Sequence, residues 1–114
     1  MEFTRSLRRN WDFKRAYARG RSAASGLLAM YVRPNKEGGN RLGLTVGSKL
    51  GGAVVRNRVR RRMKEAYRMN EAGLASGFDV VLVARVRAVN ATYWELEREF
   101  LKLCVRLGIK NPPR

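Results

Sequence analysis

FDVVLVAR, residues 78–85, is an almost unbroken apolar run of strand length. A strand without alternation is covered on both faces, so it belongs inside a sheet with packed layers above and below, often parallel to a neighbour. Two other segments supply strands. LLAMYVR (27–33) sets Leu28, Met30 and Val32 on one face and Leu27, Ala29 and Tyr31 on the other. RLGLTVGS (41–48) alternates Leu42, Leu44 and Val46 with Gly43, Thr45 and Gly47, giving one greasy face and one small, open face. A glycine on a sheet face often means that something large lies across it. The stretch between these two strands, PNKEGGN, is rich in turn formers.

Helical periodicity flanks the strands. From Trp11 to Arg19, Phe13, Ala16 and Tyr17 share a face, with Asn10 placed as N-cap, Asp12 in the first turn and Gly20 at the stop. Thr92 and Glu95 have capping-box spacing, and Leu96, Phe100, Leu103, Cys104 and Leu107 form one stripe behind them. The order helix, strand, strand, helix, strand, helix describes a small α/β domain with helices packed on a mixed sheet. A short extra strand near Gly52–Val55 is compatible with the pattern. At 114 residues a single domain is expected, residues 1–114, with 1–9 and 108–114 as loose tails.

The fourth of these elements carries the chemistry. VVRNRVRRRMKEAYR, residues 54–68, holds seven Lys or Arg residues against one acid, Glu65. At 100° per residue Val55, Val59, Met63, Ala66 and Tyr67 gather on one side of a helix. Asn57, Arg60, Arg61, Lys64 and Arg68 occupy the opposite side, with Arg56, Arg58 and Arg62 along the margins. One cationic surface backed by one core surface is not a disordered tail. The net charge of +16 calls for a polyanionic partner. No apolar run approaches ~18 residues and no signal peptide opens the chain, so a cytoplasmic nucleic-acid-binding protein is expected rather than a membrane protein. Arginine outnumbers lysine roughly three to one. Phosphate recognition and a codon bias explain that equally well.

Composition also narrows the reactions open to the chain. There is no histidine, hence no ordinary general base near neutral pH, and the single cysteine cannot form an internal disulfide. Cys104 lies in an apolar stripe and reads as a buried structural thiol. Glu95, Glu97 and Glu99 form the one acidic cluster and read as helix surface. A two-metal nuclease needs carboxylates converging on one pocket, so autonomous catalysis is not expected.

Leu50 to Arg68, LGGAVVRNRVRRRMKEAYR, resembles the signature of the protein subunit of bacterial ribonuclease P, most strongly at Arg56-Asn57-Arg58. Leu7, Phe13, Tyr17 and Gly20 resemble the family's first helix. Tyr31, Leu42-Gly43-Leu44, Ala84-Arg85 and Thr92-Tyr93 match further along. The resemblance implies an αβββαβα order with a left-handed crossover between parallel strands, against the usual right-handed rule. It also implies a non-catalytic subunit of the ribonucleoprotein that removes the 5′ leader from precursor tRNA. The active site and its Mg²⁺ would belong mainly to the catalytic RNA subunit, with no organic cofactor and no obligate protein partner. Arg56, Asn57, Arg58, Arg60, Arg61, Lys64 and Arg68 would then meet the RNA subunit. Phe13, Tyr17, Tyr31 and Lys49 would hold the single-stranded leader in a cleft, stacking being tolerant of sequence. Gly47-Ser48-Lys49 departs from the family's pattern by one missing cation, and Gly52 replaces a polar residue.

Read from the residues alone, Phe13 and Tyr17 fit core packing better than a cleft, and Asn57 fits a helix N-cap as well as an RNA contact. Arg62 and Arg98 are expected to be simply solvated. A structured-RNA-binding protein unconnected with tRNA would share the charge, size and basic helix. Arg56-Asn57-Arg58 and the aromatic positions favour the first reading over it. A protein-only nuclease is disfavoured by the missing histidines and carboxylates.

Overall fold

The computed structural model describes residues 3–112. Strands β1 (Thr4–Ser6), β2 (Arg21–Ala24), β3 (Leu28–Pro34), β4 (Asn40–Thr45) and β5 (Phe78–Ala84) form one sheet in the order β1-β4-β5-β3-β2. Helices α1 (Asn10–Arg19), α2 (Ala53–Asn70) and α3 (Tyr93–Arg106) complete the α/β domain. The apolar run is β5, parallel to β4 on one side and antiparallel to β3 on the other. β1 is also parallel to β4, and β2 antiparallel to β3, so the sheet is mixed. β4, α2 and β5 make the parallel crossover unit.

Each sheet face has its own cover. Leu28, Met30, Val32, Leu42, Val80 and Leu82 point to the side packed by Val59, Met63, Ala66 and Tyr67 of α2 and by Leu96, Phe100, Leu103 and Cys104 of α3. Each fully buried apolar side chain contributes ~1.5–3 kcal/mol. On the other face Val81 packs with Ala16 of α1 and with Leu7. α1 stops at Gly20, whose N–H donates to the Ala16 carbonyl at 2.9 Å. A Cβ there would lie 2.5 Å from that same oxygen, so only glycine fits. The capping box at α3 forms: Thr92 accepts from the Glu95 N–H, and the Glu95 carboxylate accepts from the Thr92 N–H.

Several expectations need correction. The segment expected as a loose tail at 1–9 contains β1, and the Leu7 N–H donates to the Leu42 carbonyl at 2.8 Å, which buries Leu7. The tail expected at 108–114 begins inside the fold. Gly108 turns the chain at φ +77°, and Ile109, 1% exposed, fills the core beneath α3. Residues 113–114 of that expectation lie outside the described residues. The strand of the implied αβββ run that the residue pattern missed is its first, β2, and no strand forms at Gly52–Val55. Ala53 already starts α2 there, because Gly51 at φ +140° turns the backbone into the helix. Asn10 is the first residue of α1, and Arg9 holds the cap position without a side-chain hydrogen bond.

A charged knot ties α1 to the sheet. Arg41 on β4 makes a two-pronged contact with Asp79 on β5, Nε to Oδ1 and Nη2 to Oδ2, each 2.8 Å, and reaches Asp12 on α1 at 3.5 Å. Asn35 Nδ2 donates to Asp79 Oδ1 at 2.9 Å. The hydrogen bond to Asp79 raises the Arg41 guanidinium above its usual pKa against the opposing effect of burial. The Asp79 side chain is only 2% exposed, so removing Arg41 strands a negative charge in a low-dielectric site. Arg41→Ala is expected to cost about 3 kcal/mol of stability in urea unfolding. Glu65→Ala, which breaks the exposed pair with Arg68, should leave the urea midpoint unchanged.

Candidate nucleic-acid interface

α2 turns its apolar stripe to the sheet, which forces its basic residues outward. Asn57, Arg58, Arg61, Lys64 and Arg68 are exposed, and Arg60 is half-buried. Val54, Asn57, Arg60, Arg61 and Lys64 line one shallow groove along the helix. Asn57 is not an N-cap, since α2 starts four residues before it. Its Oδ1 accepts from Arg60 Nη1 at 2.9 Å, which fixes that guanidinium in the groove. Arg56 lies at the margin. Its Nε is shut off from water and has no protein acceptor among the described residues. Arg68 is bound by both oxygens of Glu65, so it presents an ion pair rather than a bare charge, and its pKa is raised by that carboxylate. Arg62 is not merely solvated: Nη1 donates to the Ala91 carbonyl at 2.7 Å and ties α2 to the turn before α3. Arg98 is exposed, as expected.

The second surface lies across the sheet. Tyr31, Val81 and Gly43 stand abreast on β3, β5 and β4, followed by Ala29, Val83 and Thr45 in the next row. α1 covers only part of this floor, and Ala29, Val83 and Thr45 stay half-exposed. The large object on Gly43 is the ring of Phe13: a Cβ at residue 43 would sit 2.6 Å from Phe13 Cε1 and 2.7 Å from Cζ. Phe13 is therefore both packed and half-exposed, whereas Tyr17 is 39% exposed. The Tyr17 and Tyr31 rings meet edge to face with centroids 4.9 Å apart, and the Phe13 and Tyr17 centroids lie 6.5 Å apart. The Tyr17 hydroxyl hydrogen-bonds the Thr45 hydroxyl at 2.7 Å, fixing the ring at the rim. The structure thus brings Phe13, Tyr17 and Tyr31 together.

Lys49 is exposed in the short 3₁₀ turn Ser48–Leu50 that follows β4. At the same end of the sheet, Arg85 follows the parallel neighbour β5, two residues beyond Val83. Arg85 Nη1 donates to the Ser25 carbonyl at 2.9 Å, which holds the exposed guanidinium beside the floor. The parity of Val81, Val83 and Arg85 is the sequence signal that points to this residue. In the thinned loop, Gly47 and Ser48 are exposed, and a Cβ at Gly47 would meet nothing within 4 Å.

Other reactive groups are engaged elsewhere. Burial pushes the Cys104 thiol up to about 12, so it stays protonated at neutral pH. Glu95 is spent on the capping box, and Glu97 accepts from Tyr93 Oη and Asn70 Nδ2. Among the described residues no three His, Cys, Asp or Glu side chains converge in a metal-binding group. None of the described helices is long and apolar enough to cross a membrane.

Residues 1–108 match the family model described as Ribonuclease P. The chain belongs to the ribonuclease P protein family. It is 43% identical over 109 residues to the ribonuclease P protein component of Alkaliphilus metalliredigens, covering 96% of this chain and 98% of the relative. The corresponding protein of Clostridioides difficile is 38% identical over 107 residues, covering 93% and 94%. Among solved structures, the RNase P protein of Staphylococcus aureus superposes with a TM-score of 0.85 at 29% identity, over 93% of this chain and 97% of the other. That of Thermotoga maritima gives 0.81 at 28% identity, over 89% and 96%. The glycine of Leu42-Gly43-Leu44 has a physical reason here, because it is the seat of Phe13. Gly43→Ala should lift that ring, costing about 1–3 kcal/mol in thermal or urea unfolding.

Proposed function

We propose that this chain is the protein component of ribonuclease P, acting in removal of the 5′ leader from precursor tRNA without performing the hydrolysis. The observation that carries this reading is the placement of two unlike surfaces on opposite sides of one sheet. α2 presents a rigid row of cations, suited to phosphates held close together by a folded RNA. In this reading Arg56, Asn57, Arg58, Arg60, Arg61, Lys64 and Arg68 meet the catalytic RNA subunit. Arg68 keeps Glu65 as its partner in the free protein, and Arg56 contributes from the margin of the row.

The cleft suits a strand whose bases are unpaired. Phe13, Tyr17 and Tyr31 offer ring edges and faces that accept any base, with stacking contributing ~1–3 kcal/mol each. Lys49 and Arg85 take the phosphates at one end. This is the tolerance needed by a protein that meets many leader sequences.

Mg²⁺ fits the RNA partner better than this chain. Asp79 and Asp12 face Arg41, and the described acids do not converge. The protein's contribution is to bring cations to crowded phosphates and to hold the leader. The net charge of +16 fits a cytoplasmic protein that works on nucleic acid, and the family resemblance implies no obligate protein partner.

The deciding experiment is reconstitution. Purified protein alone should leave precursor tRNA uncut, and should restore cleavage to the RNA subunit at low Mg²⁺. Cleavage by RNA-free protein would overturn the reading. Arg58→Ala with Arg61→Ala should weaken binding to the RNA subunit. The log–log salt dependence should flatten by about one unit or less per lost contact. Unchanged affinity and slope would assign the basic helix to another partner.

A further inference from the structure

The outer side of α1, turned away from the sheet, carries an aromatic group outside the two surfaces described above. Trp11 is 49% exposed. The Arg15 guanidinium carbon lies 4.4 Å from the centroid of its ring, and that of Arg9 lies 5.8 Å away. Two guanidiniums on one ring bring like charges together in a molecule of net charge +16. The one acid on α1, Asp12, does not relieve them, because it is buried against Arg41.

The group is continuous with the cleft. Residues 11, 14 and 17 follow one another at i, i+3, i+6, so Trp11, Lys14 and Tyr17 form one ridge along the helix surface. Tyr17 stands at the cleft rim, Lys14 is exposed midway, and Trp11 lies about 9 Å along the axis from Tyr17. Ring, cation and ring in that order match single-stranded nucleic acid, which offers alternate bases and phosphates. Interfacial binding to an anionic membrane uses Trp and Arg too, but nothing in that mode requires the ridge to start at an aromatic cleft.

We propose that the Arg9–Trp11–Arg15 cluster is an extension subsite for single-stranded RNA. A strand that fills the cleft crosses the Tyr17 rim, sets a phosphate on Lys14 and stacks its next base on Trp11, where Arg9 and Arg15 take the flanking phosphates. This rests on the assignment of the cleft to the precursor leader, and it deepens that assignment by making affinity depend on leader length.

The test uses the reconstituted holoenzyme and two precursor tRNAs, one with a leader just long enough to fill the cleft and one twice as long. Trp11→Ala should weaken binding of the long-leader precursor on the order of tenfold, and of the short one less than twofold. Arg9→Gln with Arg15→Gln should do the same with the indole in place, and Trp11→Phe should restore most of the loss. In a Trp94→Phe background, the Trp11 emission should be quenched by the long leader and not by the short one. Equal losses on both leaders, a loss confined to the bare RNA subunit, or a loss seen only on anionic vesicles would overturn the subsite. Tyr31→Ala separates the two claims, since it should weaken both leaders. If it does so while Trp11→Ala has no effect, the subsite alone fails. If Tyr31→Ala affects neither, the cleft assignment fails first.

Discussion

The burial of β5 on both faces is the constraint that the rest of this molecule answers to. A strand with no solvent side needs a neighbour at each edge and a layer on each face. β4 and β3 fill the edges, α2 and α3 cover one face, and α1 covers part of the other. The parallel pairing of β4 with β5 then requires a crossover long enough to span the sheet, and α2 is that crossover. The basic helix is held where it is by the needs of the sheet, and its charges are turned outward because its other side is core.

Incomplete cover on the second face has the opposite effect. α1 is one ten-residue helix laid on a sheet of five strands, so part of the floor stays open. The Arg41–Asp79–Asp12 knot anchors its first turn, and the Phe13 ring seated on Gly43 sets its height over the sheet. Cleft width therefore follows from a salt bridge and a missing methyl group, not from the flexible loops. The sheet and the body of α2 lie between the cationic row and the aromatic rim, so no side chain belongs to both surfaces.

Much of this was legible in the residues, and the exceptions share a cause. β3, β5, α2 and α3 are long and periodic, and their expected limits fall within about two residues of the observed ones, while β4 ends at Thr45, three residues before the expected limit. β1 and β2 were missed because TRS and RSAA are short, polar or small, and largely exposed. They are strands only because the edges of β4 and β3 lie beside them. The role of Arg62, expected as solvated, depends on an acceptor 29 positions away. Asn57 has the chemistry of a cap, but the position of the cap was decided upstream by Gly51. Gly43 announced that something large crosses the sheet without saying what, since the identity of Phe13 comes from how α1 is docked.

The strand order has a consequence for how the chain comes together. β5 lies in the middle of the sheet, yet it is the last strand in the sequence, so β3 and β4 face an empty slot until residue 84 has been made. During synthesis the first half of the chain can form the β2–β3 hairpin but cannot join it to β4. For that interval the half-built sheet exposes two unpaired edges, which invite wrong partners. The dense run of arginines in α2 is made just before β5, and like charges keep such nascent chains apart. The charge that equips the finished protein for RNA also protects it while its central strand is still missing.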